Sequence, residues 1–174
     1  MEIIIAKKSG FCPGVQRAVD TAKKIYGKNV AIFGEIIHNE KVVDEIAALG
    51  TKTVYSLDDF DGDTLIIRSH GVGKAVYDEL EARGIYYVDG TCPFVKKIHN
   101  IVHEKKEAGN DIIIIGDAKH PEVMGINGWC ENSAWITDNT EDAEKNVIGM
   151  DKNKCYVVVV QTTFRESKYN DILS

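Results

Sequence analysis

The chain has 174 residues and a net charge of −6, with 44 % apolar and 28 % charged residues. Such a composition belongs to an ordinary globular protein, and the length allows one large domain or two small ones. The acidic balance and dispersed lysines exclude a nucleic-acid surface or an anionic-membrane patch. The densest basic runs, Lys7-Lys8 and Lys105-Lys106, read as solvated faces.

Apolar runs are only four to six residues long, far short of a membrane span. The first residues, Met1-Glu2, lead into Ile3–Ala6 with no basic leader or cleavage pattern. The expected location is therefore cytoplasmic, and the four cysteines are expected to be thiols or metal ligands rather than disulfides. No pair is spaced CxxC, which argues against a zinc ribbon or a thioredoxin-like dithiol.

In chain order, the apolar pattern predicts strands at 3–6, 30–33, 53–55, 64–68, 85–88, 112–115, 134–136 and 156–160. Helices are predicted near 15–26, 40–49, 73–83, 94–108, 140–147 and 165–173. In the fourth helix, Phe94, Ile98, Ile101 and Val102 are expected to share the buried face. His99 and His103 are four apart but lack the H-E-x-x-H pattern, so they read as solvated. Ile112–Ile115 and Val157–Val160 lack polar alternation, as in parallel strands covered on both sides. Repeated strand–helix alternation predicts an α/β fold made of two small, similar parallel-sheet βα domains, 1–92 and 93–174.

One echo stands out. Gly10-Phe11-Cys12-Pro13-Gly14-Val15 and Gly90-Thr91-Cys92-Pro93-Phe94-Val95 both read G-x-C-P-x-V, after a predicted strand and at a predicted helix start. Proline suits the first helical turn, and a cysteine just before it sits where free N–H groups and the helix dipole favour a negative sulfur. Each copy would present a sulfur at the carboxyl edge of a sheet, where open α/β sheets place ligands. Cys130 is expected to pack, and Cys155 to lie at the opposite strand end.

Histidines recur at that edge: His38 after the second strand, His70 after the fourth and His120 after the sixth, with Gln161-Thr162-Thr163 after the last. Imidazoles, hydroxyls and an amide together suit an oxygen-rich anion such as a phosphate. Glu122 is the one carboxylate expected in the cluster, and hence the candidate proton donor. Capping, turn and packing roles remain open for each histidine, with Asn39 a candidate N-cap. Two thiols leave a zinc ion or an iron–sulfur cube short of protein ligands.

Six segments carry a resemblance: Gly10–Val15, Glu35–Asn39, Ser69–Val72, Asp89–Pro93, His120–Val123 and Gln161–Thr163. In order and spacing they resemble the 4-hydroxy-3-methylbut-2-enyl diphosphate reductase family of the methylerythritol phosphate route to isoprenoids. The resemblance implies three α/β domains around a 4Fe-4S cluster held by one cysteine from each, with Cys12 and Cys92 as the first two ligands. It implies that His38, His70 and His120 hold the diphosphate of an allylic substrate, that Glu122 delivers protons and that Thr162 lies near the hydroxyl end. An external electron donor is implied as a partner. The third cysteine and the Ser/Asn segment after it have no match here. The chain is therefore expected to be a fragment lacking the third domain, without turnover and with at best a labile cluster. The rival readings are a non-catalytic phosphate- or diphosphate-binding module and a zinc scaffold using Cys12 and Cys92.

Overall fold

The computed structural model describes residues 2–4 and 10–174. The expected strand at Ile3–Ala6 and the Lys7-Lys8 pair therefore lie wholly or partly outside the described residues. Two parallel sheets carry the rest. The first has the order β2-β1-β3-β4, formed by β1 (Val30–Phe33), β2 (Lys52–Val54), β3 (Thr64–Ile67) and β4 (Tyr87–Asp89). The second has the order β6-β5-β7, formed by β5 (Asp111–Ile115), β6 (Trp135–Thr137) and β7 (Tyr156–Val160). Every neighbouring pair is parallel. The fold is thus α/β, with two similar βα domains.

The first sheet is covered on both faces because its central strands send alternate residues to opposite sides. Ile32 and Ile66 pack under α1 (Pro13–Lys24) and α2 (Glu40–Ala48) with Ala18, Ala22, Val42 and Ile46. Ala31, Leu65 and Ile67 face the other way, toward Leu57, Val72 and Leu80 of α3 (Lys74–Ala82). In the second sheet, Ile112 and Ile114 pack on Val102 of α4 (Pro93–Glu107) and on Val123 and Ile126 of α5 (Pro121–Gly128). The opposite face is more open. Ile113, Trp135, Tyr156 and Val158 line a cleft of about 340 Å³ with α6 (Thr140–Ile148) and α7 (Glu166–Leu173), and Val158 is 45 % exposed.

Three expectations need correction. Helix α5 was not predicted: it is only eight residues long, holds Gly125 and Gly128, and is buried on nearly every side, so it shows no amphipathic contrast. Phe94 is 69 % exposed, and the buried face of α4 runs instead through Val95, His99 and Val102. His99 is not solvated. It is 1 % exposed, with its ring stacked 5.3 Å from that of Trp129.

All three prolines of the chain open helices, at Pro13, Pro93 and Pro121. Their ring fixes the backbone angle of the first turn and removes an N–H that would have had no helical partner. The residues just before them, at the N-caps, are Cys12, Cys92 and His120. Among the described residues no helix is long and apolar enough to cross a membrane.

Candidate active site

Because β1, β3 and β4 are adjacent and parallel, the segments leaving their carboxyl ends lie side by side. His38 follows β1, His70 follows β3 and Cys92 follows β4. Backbone bonds stitch these segments together: Ser69 N–H donates to the Ile36 carbonyl at 3.2 Å, and Cys92 N–H to the Ser69 carbonyl at 2.9 Å. The turn before Cys92 is held by Asp89, whose Oδ1 accepts the Thr91 N–H at 2.9 Å and whose Oδ2 pairs with Lys96 at 2.7 Å. Burial alone would raise the Asp89 pKa, but the bonds from Lys96 and Thr91 outweigh it and hold the carboxyl below its ordinary value. Neither Cys12 nor Cys92 spends its sulfur on a capping bond. A methyl on Gly14 would overlap the Cys92 sulfur, so the bare glycine after Pro13 brings the two Cys-Pro helix starts together.

The second sheet contributes His120 after β5 and Thr162 after β7. His38, His70 and His120 meet, with ring centroids 4.5 Å apart for His38–His70, 5.5 Å for His38–His120 and 5.4 Å for His70–His120. Their ligand atoms all lie within 4.8 Å of one another. His120 Nδ1 accepts the Glu122 N–H at 3.1 Å, which in the neutral ring puts the proton on Nε2 and makes that atom a donor. The Nδ1 atom of His70 is buried and has no hydrogen-bond partner among the described residues. Burial lowers the His70 pKa to about 4, with His38, His120 and Arg68 adding to the effect. Burial also lowers His120, against the pull of Glu122 and Asp117. Burial thus disfavours the charged forms of His70 and His120 in the free protein.

Glu122 is 2 % exposed, and both its oxygens accept hydrogen bonds from Thr162: Oε1 from the N–H at 2.6 Å and Oε2 from the hydroxyl at 2.8 Å. Gln161 braces the same corner, its Oε1 accepting the Asp117 N–H at 3.1 Å and its Nε2 donating to Thr163 Oγ1 at 2.8 Å. Glu122 is not the only carboxylate nearby, because Glu35 Oε2 lies 3.6 Å from His38 Nδ1. Asn39 caps α2 through the Val42 N–H, as its position suggested.

The sequence reading missed Arg68 and Gly34. The Arg68 side chain lies over Gly34, where a methyl would collide with it, and adds a half-buried cation beside the histidines. Burial lowers the Arg68 pKa from its ordinary value. An arginine ending an otherwise apolar strand, just before Ser69-His70, was the available signal. Cys130 is buried in the second core, and Cys155 is exposed at the amino end of β7, away from the strand edge that carries the site.

The fold and site define a class: paired parallel βα domains with imidazoles and one buried carboxylate gathered beyond the carboxyl ends of their strands, and Cys92 on the segment that follows β4. Residues 3–174 match the family model described as LytB protein, and the chain belongs to that family. Curated relatives named 4-hydroxy-3-methylbut-2-enyl diphosphate reductase include one from Thermoanaerobacter sp. (strain X514), 44 % identical over 180 residues. That match covers 99 % of this chain and 61 % of the relative. Another, from Clostridioides difficile (strain 630), is 45 % identical and covers 100 % and 63 %. The solved E-1-hydroxy-2-methyl-but-2-enyl-4-diphosphate reductase from Plasmodium falciparum aligns with a TM-score of 0.88 at 30 % identity. It covers 96 % of this chain and 53 % of its own. A second solved structure, of (E)-4-hydroxy-3-methyl-but-2-enyl diphosphate reductase, aligns at 0.79 with 34 % identity, over 98 % and 61 %. The chain thus spans about six-tenths of the length of the curated relatives it matches.

Proposed function

We propose that this chain forms the greater part of the active site of a 4-hydroxy-3-methylbut-2-enyl diphosphate reductase. The observation that carries this reading is the meeting of His38, His70 and His120, drawn from two sheets, beside the Glu122–Thr162 pair. His38, His70 and His120 would hold the substrate diphosphate. Their N–H groups can donate to its oxygens. The Arg68 guanidinium adds fixed positive charge behind them.

The reaction replaces an allylic hydroxyl by hydrogen, consuming two electrons and two protons and releasing water. It yields isopentenyl and dimethylallyl diphosphates, with the electrons coming from an external donor. Glu122, held by both Thr162 donors and shielded from solvent, is the group placed to store and deliver a proton. Thr162, exposed at the same corner, would orient the hydroxyl end of the substrate.

An iron–sulfur cube fits this donor set in part. Cys12 and Cys92 have free sulfurs at adjoining helix starts, while Cys130 and Cys155 lie elsewhere, so the chain offers two thiols where such a cube usually takes four. When bound, the cluster would supply the electrons and the Lewis acidity of the reaction. Turnover by these 174 residues alone is not expected, because two thiols hold such a cluster weakly.

The test is anaerobic reconstitution of this chain with iron and sulfide, read by visible absorption and iron assay. A brown chromophore that Cys12→Ser and Cys92→Ser each diminish is the expected result. Uptake indifferent to both substitutions would remove the cluster from this site.

A further inference from the structure

His70 and His120 come from different sheets, yet their rings lie 5.4 Å apart. The contact that holds their carriers together is made of backbone. Helix α5 begins just after His120, and within its roughly two turns its glycines meet the Ser69–Gly73 loop that carries His70. A methyl on Gly128 would stand 2.6 Å from Gly73 Cα, and a methyl on Gly73 would stand 3.0 Å from Gly128 Cα. Gly125 also faces the loop, but with room: its methyl would lie 3.6 Å from the His70 carbonyl oxygen, an ordinary van der Waals distance.

Side chains lock the approach. Trp129, just past the helix, donates its Nε1–H to the Val72 carbonyl at 2.9 Å. His99 stacks on Trp129 and fills the space left by Gly71, where a methyl would stand 2.5 Å from His99 Cε1. Gly71 has φ +70°, a conformation that a side chain would strain in any case. The loop therefore cannot slide along α5 without breaking the Trp129 bond or parting Gly73 from Gly128.

We propose that the Gly73–Gly128 backbone contact, locked by Trp129 on Val72, is a positioning device that sets the His70–His120 spacing for a diphosphate. This inference rests on the diphosphate reading and adds Gly73, Gly128 and Trp129 as positioning residues that touch no substrate. Backbone at closest approach resists displacement, since any added atom must move an entire element rather than rotate a side chain. A shift of one element by about an ångström suffices to spoil a site built from both sides.

The contrast between Gly128 and Gly125 makes the device testable. Both lie in α5, Gly125 in its interior and Gly128 as its last residue, and alanine is the better helix former. Pyrophosphate binding to this chain, measured by calorimetry, and the cross-relaxation between His70 and His120 ring protons, measured by NMR, are the two readouts. Gly128→Ala is expected to weaken pyrophosphate binding by about tenfold or more and to diminish the ring cross-peak. Gly125→Ala should stay within about twofold of the parent chain. A Gly128→Ala chain with parent affinity and an intact cross-peak would overturn the proposal, as would equal losses in both alanine variants. If Gly128→Ala does not fold, Trp129→Phe decides, since it keeps the aromatic bulk and removes the N–H. Loss of affinity and cross-peak there supports the lock, and retention of both overturns it. If the parent chain binds no pyrophosphate, the diphosphate reading fails, and the positioning claim is judged on the cross-peak in the same variants.

Discussion

Glu122 is the residue on which structure and chemistry press hardest. A carboxylate 2 % exposed survives burial only if hydrogen bonds replace its lost water, and Thr162 supplies two. In Glu122→Gln the amide oxygen can still accept the Thr162 N–H, and the Thr162 hydroxyl can turn to accept from the amide nitrogen. That variant should stay within about 1 kcal/mol of the parent in urea denaturation. Glu122→Ala strands both donors and leaves a cavity, so a loss of about 2–4 kcal/mol is expected. Similar losses for the two variants would show that charge, rather than hydrogen bonding, holds this corner. The Glu122–Thr162 pairing joins positions forty residues apart in the chain, and no local pattern announced it.

At the scale of the element, the recurring unit is a helix opened by proline with a site residue at its N-cap. The duplicated G-x-C-P-x-V made two of these legible, because proline at the first turn and cysteine before it have a local physical meaning. The third, His120-Pro121 at the start of α5, carried the same signal, but the helix behind it lacked periodicity. The tight fit of Gly14 under Cys92 reverses a usual rule. Glycine to alanine within a helix ordinarily stabilises by up to about 1 kcal/mol. Here the methyl would overlap the Cys92 sulfur, so Gly14→Ala is expected to lower the melting temperature and to reduce iron uptake on reconstitution. A rise in melting temperature with unchanged uptake would mean that the sulfur moves aside at no cost.

For the molecule as a whole, one buried imidazole, His99, and one half-buried, His70, sit where the two sheets meet. Burial lowers His70 to about 4 and His99 to about 4, against 6.5 for each unperturbed ring. Asp89 opposes that shift at His99 and Lys96 reinforces it. In the unfolded chain both rings take up protons near 6.5, whereas in the folded chain they do so only near 4. Between those values the unfolded state binds more protons, so stability falls as the pH falls through that window and levels off below it. The loss is up to about 3 kcal/mol for buried His99 and less for half-buried His70, where solvent screens part of the effect. Urea denaturation at pH 7.5 and 4.5 checks this, and His99→Phe should flatten the acid dependence. An acid dependence identical in that variant would assign the effect elsewhere.

The amino-acid sequence by itself determined the class of fold and the identity of the polar residues at the strand ends. Both follow from local physics: apolar runs without alternation demand strands covered on both faces, and residues after parallel strands must emerge at one edge. Most element positions were legible for the same reason. What only the tertiary structure decided is how the two sheets face each other. The convergence of His38, His70 and His120, the pairing of Glu122 with Thr162, and the burial of His99 against Trp129 all depend on contacts between distant segments. Several close approaches also rest on absences of atoms, at Gly14 under Cys92, at Gly71 under His99 and at Gly73 against Gly128, and a missing side chain declares its purpose only when its neighbour is seen.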